Sequence, residues 1–269
     1  MKLRRQLRAI AQAAVHLLLA VIPAIGIARS EDPILRSLFV VALAAGVAQL
    51  VAAAFIYIPG FDPLFRVPWR GPRSGRRLAI TFDDGPNGEV TAKVLDLFRR
   101  YGGKATFFMV GRHVEAEPEL ARRVAAEGHA VGSHTYSHTK LSGVPLAVAI
   151  DEIERGHRCL TEAGIGDARL FRAPKGHKRL GVVKHLDRRG IRMIAWTSGV
   201  YDTDGASGDV LARRAMRWLR PGSILLLHDG MRGQDRRPML QALEAILAAA
   251  RERNLELVTI PELLAPGSP

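Results

Sequence analysis

Two short stretches hold residues whose types and spacing could do chemistry. In "TFDDGPN" (81–87) two adjacent carboxylates, Asp83 and Asp84, end an apolar run. Asp-Gly and Gly-Pro are ordinary turn formers, but neighbouring carboxylates repel and call for a cation beside them. In "SHTYSH" (133–138) His134 and His138 stand four apart. On a helix, or a helix-like turn after a strand, such a pair faces one way and shares a metal; otherwise it decorates a polar loop. Asp84 would add an oxygen ligand, and two imidazoles with one carboxylate suit a catalytic divalent ion such as zinc. His113, His129, His157, His177 and His185 lack such company and read as surface or structural histidines. The single cysteine, Cys159, excludes an internal disulfide and leaves imidazole and carboxylate as the ligands on offer.

These residues need elements to position them. From residue 77 onward seven strand-like runs, 77–83, 105–111, 129–134, 169–174, 191–198, 223–229 and 255–260, alternate with amphipathic stretches such as "EVTAKVLDLFRRYG". The apolar residues of those stretches recur at three and four, as in a helix packing on a sheet. Gly102 and Gly128 fall where helices should stop. Alternation of this kind predicts a parallel sheet or an α/β barrel. Asp83 and Asp84 end the first run, His134 the third, Arg172 lies in the fourth and His228 near the end of the sixth. Sites of α/β sheets and barrels lie at the carboxyl ends of their strands, so these residues point to one shared cleft.

"TFDDGPN", "SHTYSH", "FRAPKG" (171–176) and "LLLHDG" (225–230), in this order, are similar to the successive motifs of the polysaccharide deacetylase (NodB-homology) family of carbohydrate esterases. The resemblance covers about residues 76–264 and implies a distorted seven-stranded (β/α) barrel that removes N-acetyl or O-acetyl groups from glycans. It implies Asp84, His134 and His138 as ligands of a divalent metal, zinc first, with cobalt, nickel or manganese as alternatives. By the same resemblance Asp83 is the catalytic base, Arg172 its tether, His228 the catalytic acid and Leu226 a wall of the acetyl pocket. An oxyanion donor near Pro174 cannot be Pro174, which has no N–H; Lys175 N–H is the expected one. Two departures stand out. The fourth motif of the family usually ends in Asp-Trp, whereas this chain reads "AWTSGVYDTDG", so Asp202, with Asp204 as runner-up, is expected to pair with His228 and Trp196 to pack in the core. Lys175 stands where an aromatic is common; a cation there suits an anionic substrate, and a solvated lysine is the alternative.

The 269 residues carry a formal charge of +13 but only 6% aromatics, with no arginine run interleaved with aromatics as a nucleic-acid platform needs. No nucleic-acid partner is expected. Ahead of the globular part, residues 9–28 and 38–58 are apolar stretches of about the 20 residues that span a bilayer as helix. They predict an N-terminal transmembrane hairpin over residues 1–58, with a signal peptide competing for the first stretch. A Pro/Gly-rich linker follows at 59–76, where Trp69 sits at the headgroups or packs on the domain. The deacetylase domain is expected at 77–264 and a tail at 265–269. The expectation is a membrane-anchored deacetylase of a cell-envelope polysaccharide such as peptidoglycan or a chitin-like glycan. The alternatives are a deacylase of a lipid-linked amino sugar and a non-catalytic glycan-binding protein. Arginines flanking both apolar stretches favour a cytoplasmic domain; a cell-wall substrate favours the periplasmic side of the inner membrane.

Overall fold

Along "RLAITFD" every second side chain meets a different neighbourhood, and this alternation builds the architecture. In the computed structural model, which describes residues 31–57, 67–166, 168–230 and 233–265 (the backbone alone for 49–57), this run is strand β1, Arg77–Asp83. Leu78, Ile80 and Phe82 pack with Val94, Leu95 and Phe98 of the helix Gly88–Tyr101 and with Leu243, Ile246 and Leu247 of the helix Arg237–Glu252. Ala79 turns the other way, into a cluster with Phe108, Leu170, Ile194 and Ile224. Thr81 and Asp83 share its parity and therefore its face.

The further strands are β2 (Thr106–Met109), β3 (Ala130–Ser133), β4 (Leu170–Phe171), β5 (Arg192–Met193), β6 (Ser198–Gly199), β7 (Ile224–His228) and β8 (Glu256–Leu257). They form one sheet in the order β5-β4-β3-β2-β1-β7-β6, with β8 added on β1, and every pairing is parallel. Each of the seven expected runs contributes a strand. The run 191–198 is corrected from one strand to two. Ile194 N–H donates to Phe171 O (2.8 Å) beside β4, Ala195 N–H to Pro68 O (2.8 Å), and Thr197 N–H to Ile224 O (2.8 Å) beside β7. One continuous strand cannot pair with two neighbours that are themselves apart, so the ladder breaks where the chain crosses between them. Both edges of the curled sheet are thus ends of one short segment, and the fold is an α/β barrel distorted at that crossing.

Helices pack outside through the faces their periodicity predicts. Gly102 (φ 81°) and Gly128 (φ 83°) end two of them, in a conformation that a side chain disfavours. Trp69 is half-buried against the cluster that contains Phe171 and Ala195, and its carbonyl accepts from Thr197 Oγ1 at 2.8 Å, so it packs on the domain. Contacts divide the chain into Met1–Phe61 and Asp62–Pro269. In the first unit a helix runs Pro33–Tyr57, and among the described residues no helix is long and apolar enough to cross a membrane. The first predicted span, 9–28, the last residue of the second (58), and parts of the linker (59–66) and tail (266–269) lie outside the described residues.

Candidate active site at the carboxyl ends of the strands

Among the described residues Arg172 is the largest side chain wholly removed from solvent. It follows β4, and its guanidinium reaches across the inside of the barrel. Nη1 donates to Asp83 Oδ1 (2.8 Å) and to Thr81 Oγ1 (2.7 Å), Nη2 to Ala195 O (3.1 Å) and Nε to Ile194 O (3.4 Å). The ring of Phe108 lies 4.1 Å from its guanidinium carbon and that of Trp196 5.6 Å. Trp196, expected in the core, is half-buried and also abuts Gly176. A buried cation needs a counter-charge and filled hydrogen bonds, and the carboxylate of Asp83 and two carbonyls supply them.

Next to this pair stand the predicted metal ligands. Asp84, His134 and His138 each place one donor atom within 4.8 Å of the others. Asp84 Oδ1 is buried and among the described residues accepts no hydrogen bond, with His138 Nε2 3.2 Å and His134 Nε2 3.5 Å away. His134 Nδ1 lies 2.7 Å from the carbonyl of Arg172. A carbonyl only accepts, so Nδ1 carries a proton, and in the neutral ring Nε2 is a lone pair facing a carboxylate oxygen. Two lone-pair donors turned toward an orphaned carboxylate oxygen fit a divalent cation, and zinc is among the ions this donor set suits. Burial holds the pKa of His138 below the ordinary histidine range, against the pull of Asp84, and that keeps its ring available as a ligand.

The histidine pair is not on a helical turn, and this corrects the expected geometry. Thr135 (φ 69°) and His138 (φ 63°) are left-handed, which folds 134–138 into a tight loop that brings the ring centroids to 5.1 Å. The loop is held from outside by Glu152, whose carboxylate accepts from Ser137 N–H (2.9 Å) and Ser137 Oγ (2.8 Å) and whose carbonyl accepts from Tyr136 N–H (2.9 Å). Asp84 (φ 74°) and Lys175 (φ 61°) are also left-handed, and Tyr201 (φ 61°) precedes Asp202. Among the described residues six non-glycine side chains adopt positive φ, and these are five of them. Such strain persists only where surrounding structure enforces it, and it gathers at functional sites.

β7 brings His228 beside Asp83, its register partner on β1. Asp202 accepts from His228 Nδ1–H on Oδ1 (2.9 Å) and from His228 N–H on Oδ2 (2.9 Å). Asp204 instead accepts from Arg214 Nη1 at 3.0 Å, so the two candidate partners are separated by geometry. Burial opposes charge on His228, but the hydrogen bond and charge of Asp202 outweigh it and bring its pKa up to about 9. Leu226, two residues back on β7, pairs in register with Thr81 and so faces the same interior. Pro174 is buried; Lys175 is exposed, and among the described residues its N–H has no backbone acceptor.

Sequence reasoning missed several supports. His113 Nδ1–H donates to Asp84 O (2.7 Å), which makes this structural histidine a prop of the site. Arg236 donates to both the carboxylate and the carbonyl of Asp202. Thr91 Oγ1 donates to Asp229 Oδ2 (2.6 Å), and the Asp229 carboxyl, pushed up to about 7 by burial, fills the place where a side chain on Gly85 would go. A Cβ on Gly230 would sit 1.7 Å from Asp84 O, so the glycines of "TFDDGPN" and "LLLHDG" are both demanded by close approach. Only the glycines had a visible signal; a propping arginine or histidine has no spacing rule. Asp84→Ala in the full-length protein should abolish uptake of cobalt(II), followed by its visible absorption, whereas Asp202→Asn should leave it intact. Unchanged uptake by Asp84→Ala would remove the cluster as a metal centre.

Comparison with known proteins places this geometry. A family model described as polysaccharide deacetylase matches residues 70–194, from before β1 through β5. A peptidoglycan-N-acetylglucosamine deacetylase of Bacillus cereus is 35% identical over 205 residues, 76% of this chain and 95% of that protein. A chitooligosaccharide deacetylase of Azorhizobium caulinodans is 33% identical, across 68% of this chain and 91% of that protein. The crystal structure of a peptidoglycan N-acetylglucosamine deacetylase bound to 4-naphthalen-1-yl-N-oxidanyl-benzamide superposes with a TM-score of 0.71 at 29% identity, covering 74% of this chain and 93% of that one. The family model stops short of Asp202 and His228, but the relatives are matched over more than nine-tenths of their length, and on that basis the chain belongs to the polysaccharide deacetylase family of hydrolases.

Proposed function

We propose that the protein is a membrane-anchored hydrolase that removes N-acetyl groups from a cell-envelope glycan, with peptidoglycan as the first candidate and chitin-like glycans or O-acetyl groups as the next. One observation carries this reading. An arginine-held carboxylate, a carboxylate-held imidazole and a three-donor metal cluster converge at the carboxyl ends of β1, β3 and β7.

In this reading each group has one task. Asp83, fixed by Arg172, takes a proton from the attacking water. Lys175 N–H donates to the oxygen that gains charge as the acetyl carbon becomes tetrahedral. Leu226 packs against the acetyl methyl. His228 starts protonated, gives its Nε2 proton to the departing amine nitrogen, and Asp202 stabilises the charged ring from the other side. Water and amide are consumed, and acetate and the free amino sugar are released. A divalent ion held by Asp84, His134 and His138 supplies Lewis-acid polarisation of the acetyl carbonyl and acidifies water.

The sequence supports an anchor. Residues 38–58 are uncharged and broken only by Gln49, and they coincide with most of the 25-residue helix Pro33–Tyr57. Ile34, Leu38, Val40, Val41 and Val47 are exposed along it, as on a helix that needs an apolar surrounding. The same helix favours a second reading, deacylation of a lipid-linked amino sugar at the membrane surface.

Acetate release by the full-length protein from peptidoglycan, chitin oligomers and a lipid-linked amino sugar tests the reading. Asp83→Asn and His228→Ala should each cut kcat by about 10²- to 10⁴-fold with metal content retained; near-normal turnover in either would exclude that residue from its role. Because the protonated ring is the acid, kcat should hold below about pH 9 and fall as pH rises through the His228 pKa. Asp202→Asn removes the group that raises that pKa, so the fall should move to lower pH. For the anchor, a C-terminal reporter active only outside the cytoplasm is expected with a cell-wall substrate. A reporter active only in the cytoplasm would contradict that substrate and favour the lipid-linked sugar.

A further inference from the structure

Arg236 is an arginine whose place the fold alone does not explain. It occupies the N-cap of the helix Arg237–Glu252, with no side-chain cap bond, where a cation meets the positive end of the helix dipole. It is only 4% exposed, and its Nε is buried with no partner among the described residues, a cost of the kind native structures ordinarily avoid. Its other nitrogens all converge on one pair. Nη1 donates to Asp202 O (2.9 Å), and Nη2 donates to Asp202 Oδ2 and to His228 O.

Asp202 Oδ2 also accepts from His228 N–H, while Oδ1 accepts from His228 Nδ1–H. Without a third group the carboxylate can rotate about its own bonds and break both contacts together. With Arg236 in place, Oδ2 is fixed by two donors and the remaining oxygen is left in line with the imidazole. We propose that Arg236 is a positioning residue for the acid, a clamp that locks the Asp202 carboxylate and thereby aims His228 Nε2 at the leaving nitrogen. This rests on His228 acting as the acid in the proposed deacetylation. The charged groups facing His228 are Asp202 from the loop after β6, Arg236 from the helix start, and Asp83 and Asp84 from the end of β1. Arg236 is the cation among them that bonds the pair directly.

The test uses the full-length protein. Arg236→Ala should lower kcat by about 10- to 100-fold with KM and metal content unchanged, and added guanidinium ion should restore much of the loss. Placed on His228→Ala, the same substitution should cost nothing further, since Arg236 acts only through that ring. If Arg236→Ala does not fold, Arg236→Lys, which keeps the charge but not the fork, should show the same loss confined to kcat. A kcat within about twofold of wild type, or an equal loss in the His228→Ala background, overturns the proposal. A substrate-free readout separates it from the functional reading. The His228 Nδ1 proton, held by Asp202, should resonate downfield in the NMR spectrum of the resting wild type and should vanish by exchange with water in either variant. That change in a protein that releases no acetate would discard the deacetylase reading and keep the clamp. An unchanged proton signal would discard the clamp whatever the activity.

Discussion

The ion pair between Arg172 and Asp83, sealed inside the barrel, is the constraint on which the rest of the site depends. A guanidinium with no exposed surface must be neutralised and hydrogen-bonded on the spot. Its four partners here come from two places: Asp83 and Thr81 on β1, and the carbonyls of Ile194 and Ala195 on the crossing segment between β5 and β6. The same arginine gives its own carbonyl to His134 Nδ1. One residue therefore fixes the proposed base, bonds the segment where the barrel is distorted, and sets which nitrogen of His134 faces the cluster. Removing it would leave a buried carboxylate unpaired, a loss of about 3–5 kcal/mol in comparable cases.

Around that centre the site is built from paired opposites. Asp83 is answered by Arg172, and His228 by Asp202, which is in turn answered by Arg236. Asp84 is the exception, with a buried oxygen that no donor among the described residues satisfies, and it is the carboxylate the two imidazoles surround. The left-handed residues Asp84, Thr135, His138 and Lys175 lie in the loops that deliver these groups. Glu152, His113 and Asp229 lean on those loops from behind. Rigid strands set the spacing, and propped, strained loops set the aim.

Much of this was legible in the sequence, for physical reasons that differ by residue. Strand runs such as "RLAITFD" and "SILLLHD" announce themselves because a strand inside a barrel is apolar on both faces. Asp83, Asp84 and His228 stand out because charge at the end of such a run needs a purpose. The 191–198 run was less legible: its composition is that of a strand, but its pairing is decided by neighbours far away in sequence. The histidine spacing suggested a helical turn, whereas left-handed residues at Thr135 and His138 achieve the same convergence in a loop, and backbone sign is not written in side-chain identity. Arg236 was invisible because in "GQDRRP" nothing distinguishes a buried arginine from the exposed Arg237 beside it.

The central claim is that this chain's residues hydrolyse an acetylated amino sugar with a divalent ion held by Asp84, His134 and His138. Its most direct test is acetate release from an N-acetylated glycan by the full-length protein before chelation, after chelation, and after a divalent ion is added back. The account predicts release that is lost on chelation and returns with the metal. Release that persists undiminished in chelated protein would contradict it.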